Sequence, residues 1–315
     1  MTKGDPAGVG RLFDSKKLIA VYSDENLNEI KKSKGYEENF LSLLKSIAAR
    51  YLKPNMQEYR YTGSAQVFEG DPKEIFHSYV ENTEEMPKYG YGISGMAQKM
   101  WGGLQNASFA EILEGGADEL KQLLDIDPKD IDELPIDEEK KSQIKSMLEI
   151  LPTLVDEANS EFANISNYNL PENAVKTFEE ASGLGPKVLK NIKGPDVVGQ
   201  IWKMIRESIP HEITTLEQFF GLDLSAWGNI QNLSTVEKVN AIYHQLNFVG
   251  YYRDSGMKKE KRFNASFSDM THAGMASFCR LFICRDEDLT MKAAAAYEYL
   301  KLGTQIIYLD LNRKL

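Results

Sequence analysis

Apolar positions along this chain change their period more than once. Lys17-Leu-Ile-Ala-Val-Tyr22 is an unbroken apolar, partly β-branched run of strand length. A short helix after a Gly/Pro-bearing turn is predicted ahead of it, over Gly4–Ser15. After it, Ser23 or Asp24 stands where a helix cap belongs, with Leu27 and Ile30 in the first turns. The residue three beyond Ser23 is Asn26, neither Glu nor Gln, so no clean capping box is expected. From Tyr36 to about Asn232 the apolar residues recur at three and four, as in Phe40, Leu43, Leu44, Ile47 and again through Val197–Ile205. Pro and Gly punctuate these stripes, and no strand-like alternation shows between them, which predicts a mostly helical insertion. The tail returns to mixed patterning. Thr235–Gly250 reads as an apolar helix ending on a glycine. Ser268 or Asp269 is expected to cap a helix carrying Ala273, Ala276 and Ser277. Leu281-Phe-Ile-Cys284 then reads as a central strand covered on both faces, followed by a helix over Met291–Leu300 and a strand over Thr304–Leu309.

Composition narrows the class without naming a chemistry. At 315 residues the chain is long enough for two lobes or one domain with a large insertion. A net charge of −10 excludes a protein that coats nucleic acid indiscriminately, yet leaves room for a local basic patch. No apolar run approaches the roughly 20 residues of a membrane span, and no signal pattern opens the chain. Cys279 and Cys284 are too few for a disulfide framework and lack partners for zinc, so buried thiols and a cytoplasmic setting are expected.

Three stretches carry candidate chemistry. In open α/β sheets ligands gather at the carboxyl ends of strands. Asp286 leaves such a strand end and Asp269 opens the preceding helix, so the two carboxylates are placed to converge on a hard divalent cation. Glu29, just past the first strand, can reach back to the same rim. Each residue also has a plain reading, as helix cap, solvated turn or solvated helix face. Tyr251–Arg262 is a loop whose Arg253, Lys258, Lys259, Lys261 and Arg262 form the basic cluster of an acidic protein, suited to a phosphate backbone. The Gly- and Tyr-rich Lys88–Gly95 matches no phosphate-loop spacing, and the acidic run Glu111–Glu139 lacks a calcium-loop pattern and reads as a solvated face.

The order Gly250-Tyr-Tyr-Arg-Asp254, the basic loop, Ser268-Asp269-Met-Thr-His272-Ala, Phe282-Ile-Cys-Arg285-Asp286 and Lys292–Tyr297 resembles the end of PIN-like (PilT N-terminus) nuclease domains, in their large bacterial form with a helical insertion. The resemblance covers roughly residues 10–33 and 235–311. It implies an α/β fold with a small parallel sheet, discontinuous over 1–35 and 233–315 and split by a helical insertion over 36–232. It further implies Mg2+ or Mn2+ held by Glu29, Asp269 and Asp286, with Asp288 as an outer ligand and His272 orienting a water or a phosphate. The implied substrate is nucleic acid, RNA ahead of DNA, with no membrane partner and a protein partner possible through the insertion. Two departures stand out. Cys284 occupies a position where threonine is usual. Such domains also open with a strand ending in Asp, whereas here Asp5 is the only acid early enough, no apolar strand precedes it, and Asp14 falls in the next helix. The resemblance therefore implies either a metal-dependent ribonuclease, a toxin or defence effector among the options, or a catalytically silent scaffold that binds nucleic acid or protein.

Overall fold

The computed structural model describes residues 18–57, 60–84, 91–124, 127–134, 137–166, 173–209, 215–223, 225 and 233–310. The helix expected over Gly4–Ser15, both early acids, and Lys88–Gly90 of the Gly/Tyr stretch lie outside them. The protein is mixed α/β and mainly helical, with two small sheets. In chain order the elements are β1 (Val21–Tyr22), α1 (Asp24–Lys32), α2 (Glu37–Ser46), β2 (Arg50–Gln57), β3 (Arg60–Phe68) and α3 (Pro72–Glu84). Then come α4 (Tyr91–Met100), α5 (Phe109–Leu124), α6 (Pro128–Asp132), α7 (Glu138–Ser166), α8 (Ala174–Ser182), α9 (Pro186–Leu189), α10 (Val197–Ser208) and α11 (Leu216–Phe219). The chain closes with α12 (Thr235–Val249), α13 (Glu260–Ala276), β4 (Leu281–Cys284), α14 (Glu287–Tyr299) and β5 (Gln305–Tyr308).

The chain divides into two compact units. The first comprises Met1–Thr83, Phe178–Ser255 and Asn264–Leu315, and the second comprises Glu84–Thr177 and Gly256–Phe263. The expected breaks at 35/36 and 232/233 are thus displaced, because α2, the β2–β3 hairpin and α3 pack with the N-terminal strand. Tyr22, Leu27, Ile30, Leu41 and Ala49 form that local core, with Ile75, Phe76 and Tyr79 against it. The strands β2 and β3 correct the expectation of an all-helical region 36–232.

Two separate sheets replace the single parallel sheet that the apolar runs suggested. β1 pairs in parallel with β2, and β2 pairs antiparallel with β3. β4 and β5 pair in parallel, Leu281 opposite Gln305 through Cys284 opposite Tyr308, joined by α14 as parallel strands require. The main core of the first unit lies among α9, α10, α12, α13 and α14. Ile201, Ile242, Leu246, Ala273, Ala293 and Ala296 are fully enclosed there, and each larger aliphatic contributes ~1.5–3 kcal/mol by leaving water.

Local chemistry fixes the helix ends that matter for the site. Ser234 and Glu237 cap α12 reciprocally, with N–H···O distances of 2.7 and 3.3 Å. Gly250 ends α12 at φ +108°, and a Cβ there would sit 2.8 Å from the backbone nitrogen of Pro186. At the head of α1 the side-chain oxygen of Asn26 accepts the Ser23 N–H at 2.9 Å, so an asparagine takes the part in the cap that the sequence reading reserved for Glu or Gln. α13 starts at Glu260, one and a half to two turns ahead of the expected cap at Ser268 or Asp269. Those residues are therefore interior helical positions, and Glu260–Arg262 of the expected basic loop are helical too.

Candidate active site

Four of the sequence-predicted residues and one that was not predicted meet in the first unit, on α12, α13, α14 and the turn after α12. Asp269 lies on α13 and is half-buried. Its carboxyl is pushed up to about 7, chiefly by burial, then by the negative charges of Asp254 and Asp286, with His272 and Lys292 opposing. Asp286 ends β4 and caps α14, its Oδ1 accepting the Leu289 N–H at 2.9 Å. Cap and site residue are therefore the same side chain, and the two readings of Asp286 are compatible. Asp288, in the first turn of α14, has its carboxyl raised by burial; Lys190, 3.8 Å away, and Lys292 oppose the rise, while Asp286 and Asp254 add to it.

Asp254 was quoted in the sequence pattern but given no role. Its carboxylate is held by a closed polar ring. Lys292 Nζ donates to Asp254 Oδ1 at 2.6 Å, Ser266 Oγ donates to Oδ2 at 2.5 Å, and Asn247 Nδ2 donates to Ser266 Oγ at 3.0 Å. Asn247 Oδ1 closes the ring, accepting from Lys292 Nζ at 3.3 Å and from the Asp254 N–H at 2.8 Å. Lys292 has no exposed surface, also donates to the Tyr252 carbonyl at 2.9 Å, and lies over the Tyr243 ring at 4.7 Å. Burial lowers its pKa, and the charge and hydrogen bond of Asp254 oppose that drop. A buried ammonium persists because it is paired and fully hydrogen-bonded.

Glu29 reaches the neighbourhood from α1 but touches a different partner. Its Oε1 lies 3.4 Å from His272 Nε2 and accepts from Ser268 Oγ at 3.3 Å. Ser268 Oγ also donates to Glu25. The hydrogen bond to His272 holds Glu29 below the usual carboxylate range against the effect of burial. Burial works against the His272 cation, yet the bond to Glu29, with the charges of Glu29, Glu25 and Asp269, raises its pKa overall. His272 thus stands between Glu29 on one side and Asp269 on the other, and the close carboxylate set is Asp254, Asp269 and Asp286.

The basic cluster is divided. Arg253 belongs to the first unit and is used internally: it pairs with Glu179 and donates to the carbonyls of Asn247 at 3.0 Å and Phe248 at 2.5 Å. This corrects its assignment to nucleic-acid binding, since a half-enclosed guanidinium that holds together α8 and the end of α12 is committed to the fold. Lys258, Lys259, Lys261 and Arg262 belong to the second unit. That unit also holds a cavity of about 230 Å³ lined by Lys99, Gly102, Gly103, Gln105 and Asn173, none of them a predicted site residue. Cys279 and Cys284 are free thiols, half-buried where full burial was expected. Cys284 Sγ accepts the Asp286 N–H at 3.3 Å, which steadies the turn that carries the acid.

Among the described residues no three His, Cys, Asp or Glu side chains stand together as a ready metal cage. The donor set nonetheless fits Mg2+ or Mn2+, which take one or two carboxylates and keep most of their own waters. Asp269 and Asp286 supply hard oxygens whose mutual repulsion a cation would relieve. Among the described residues no helix is long and apolar enough to cross a membrane. No family model, curated protein or solved structure matches this chain.

Proposed function

We propose that the first unit is a divalent-metal-dependent phosphodiesterase of the PIN-like kind, acting on single-stranded RNA. The observation that carries this reading is the meeting of Asp269 and Asp286, contributed by two different helices, with a third carboxylate beside them and Lys292 as the buried counter-charge. Such an excess of buried negative charge is costly to a fold and is characteristic of sites that bind cations. Asp269 and Asp286 would hold the ion, with Asp288 at the outer edge. A bound Mg2+ or Mn2+ supplies Lewis acidity toward a phosphate oxygen and an activated water. The chain's own residues do the rest. His272, kept protonated by Glu29, presents a cation beside Asp269 that can orient a phosphate oxygen, and Lys258, Lys259, Lys261 and Arg262 offer charge to an RNA backbone.

The test is cleavage of single-stranded RNA by purified protein in Mn2+. Asp269→Asn and Asp286→Asn should each reduce the rate at least a hundredfold, on the order of what removal of a charge-stabilising group costs. Cleavage that persists in both variants overturns the reading. The engagement of Glu29 by His272 favours a second reading, a silent scaffold that retains RNA without cutting it. On that reading RNA retention weakens steeply with salt and on Lys258→Ala/Lys259→Ala, and no product forms.

A further inference from the structure

Tyr243 and Asp254 lie outside the residue set that the sequence pointed to. We propose that Asp254 is a third carboxylate of the cation site, and that the Tyr243 hydroxyl is a donor held ready for an oxygen of a hydrated divalent cation entering beside it. The inference rests on the metal-site reading of Asp269 and Asp286 and extends it to two residues that the family pattern does not supply.

The Tyr243 side chain is 1% exposed on α12, and its hydroxyl has no hydrogen-bond partner among the described residues. A buried phenol ordinarily finds an acceptor, because desolvating it unpaired is costly. Here acceptors are close on several sides. The charges of Asp254, Asp269 and Asp286 all act on this phenol, and after burial they are the main reason its pKa is raised. A donor that feels three carboxylates and bonds to none of them is aimed at their common ground. Its ring also lies under Lys292, which grips Asp254.

Asp254 is equally specific. Each of its oxygens receives one donor, from Lys292 and from Ser266, so one lone pair on each stays available while the carboxylate is fixed in orientation. Purely structural pairing with Lys292 would account for Asp254 alone. It does not account for Asp254, Asp269 and Asp286 being brought together around an unpartnered hydroxyl. The resemblance leaves the first carboxylate of the nuclease pattern without a counterpart, and Asp254 contributes a third acid from another part of the chain.

Titration of the full-length protein with MnCl2, followed by calorimetry, tests this, together with the near-UV tyrosine difference spectrum on adding MgCl2. Wild type is expected to bind Mn2+ and to show a tyrosine perturbation. Tyr243→Phe should fold normally, lose that perturbation and bind Mn2+ about tenfold more weakly, as loss of a supporting hydrogen bond does. Asp254→Asn should weaken binding by more. If both variants bind as wild type does while Asp269→Asn fails, this inference is overturned and the proposed function stands. If binding follows the expected pattern but no RNA is cut, the nuclease reading falls and the inference stands; no Mn2+ binding by wild type overturns both. Should Asp254→Asn fail to fold, Tyr243→Phe decides, and unchanged affinity in it overturns the proposal.

Discussion

Lys292 and Asp254 show how much one buried pair can weigh. Lys292→Met removes the only ammonium in the ring and leaves the Asp254 carboxylate and the Tyr252 carbonyl short of a donor. We expect a loss of ~3–5 kcal/mol in urea unfolding, the usual cost of breaking a buried pair by one partner. Asp269 should behave with the opposite sign. Its carboxyl rises from 3.8 to about 7 on folding, so the folded state favours its proton, and wild-type stability falls as pH rises through that window. Asp269→Asn should therefore be more stable than wild type at pH 8, with the advantage shrinking toward pH 4, as read from urea midpoints. The Glu29–His272 contact has two limbs. The raised His272 contributes fully below 6.5 and loses its contribution as pH climbs through its folded pKa. The lowered Glu29 contributes fully above 4.5 and loses its share as pH drops. His272→Gln should accordingly cost most between those values and little in alkali. Asp269, Asp286 and Glu29 were legible in the sequence because strand ends and helix starts locate acids. Asp254 was not, since its partners lie 7, 12 and 38 residues away and only packing brings them in.

Helix boundaries tell a similar story at the level of elements. The helix over Thr235–Gly250 was readable in full, because Ser234, Glu237 and Gly250 do in the structure what short-range rules assign to them. Gly250→Ala should cost about 1–3 kcal/mol in thermal unfolding, since a left-handed φ and a collision with the Pro186 backbone leave a methyl nowhere to go. The start of α13 was misplaced for a physical reason. Ser266 and Ser268 carry cap-like side chains, but these hydroxyls serve Asp254 and Glu25 across the fold and leave the helix backbone alone. Strands β2 and β3 were missed because Pro54, Asn55, Gly63 and Ser64 interrupt any alternation, and much of β3 faces solvent. Pairing with a neighbour, and no property of its own residues, makes β3 a strand.

At the scale of the molecule, the run of helical stripes from Tyr36 onward hid a division that contacts alone reveal. Residues up to Thr83 and from Phe178 return to the first unit because Leu41, Ile75, Val198 and Ile201 have apolar partners there. Periodicity reports which face of a helix is apolar and is silent on which neighbour covers it. The single sheet inferred from three apolar runs likewise became two, β1 turning to β2 and β4 to β5. The hairpin has a consequence for crowding. Beyond Tyr51, β2 meets no described strand on the flank opposite β3, and an open strand flank invites pairing with a neighbouring molecule. Pro54 brings no N–H to that row, and the register slips between Pro54 and Met56. A foreign chain laid alongside would run out of matching donors within a few residues, so this ribbon resists zipping into fibrils despite the exposed Met56, Val67 and Phe68 it carries.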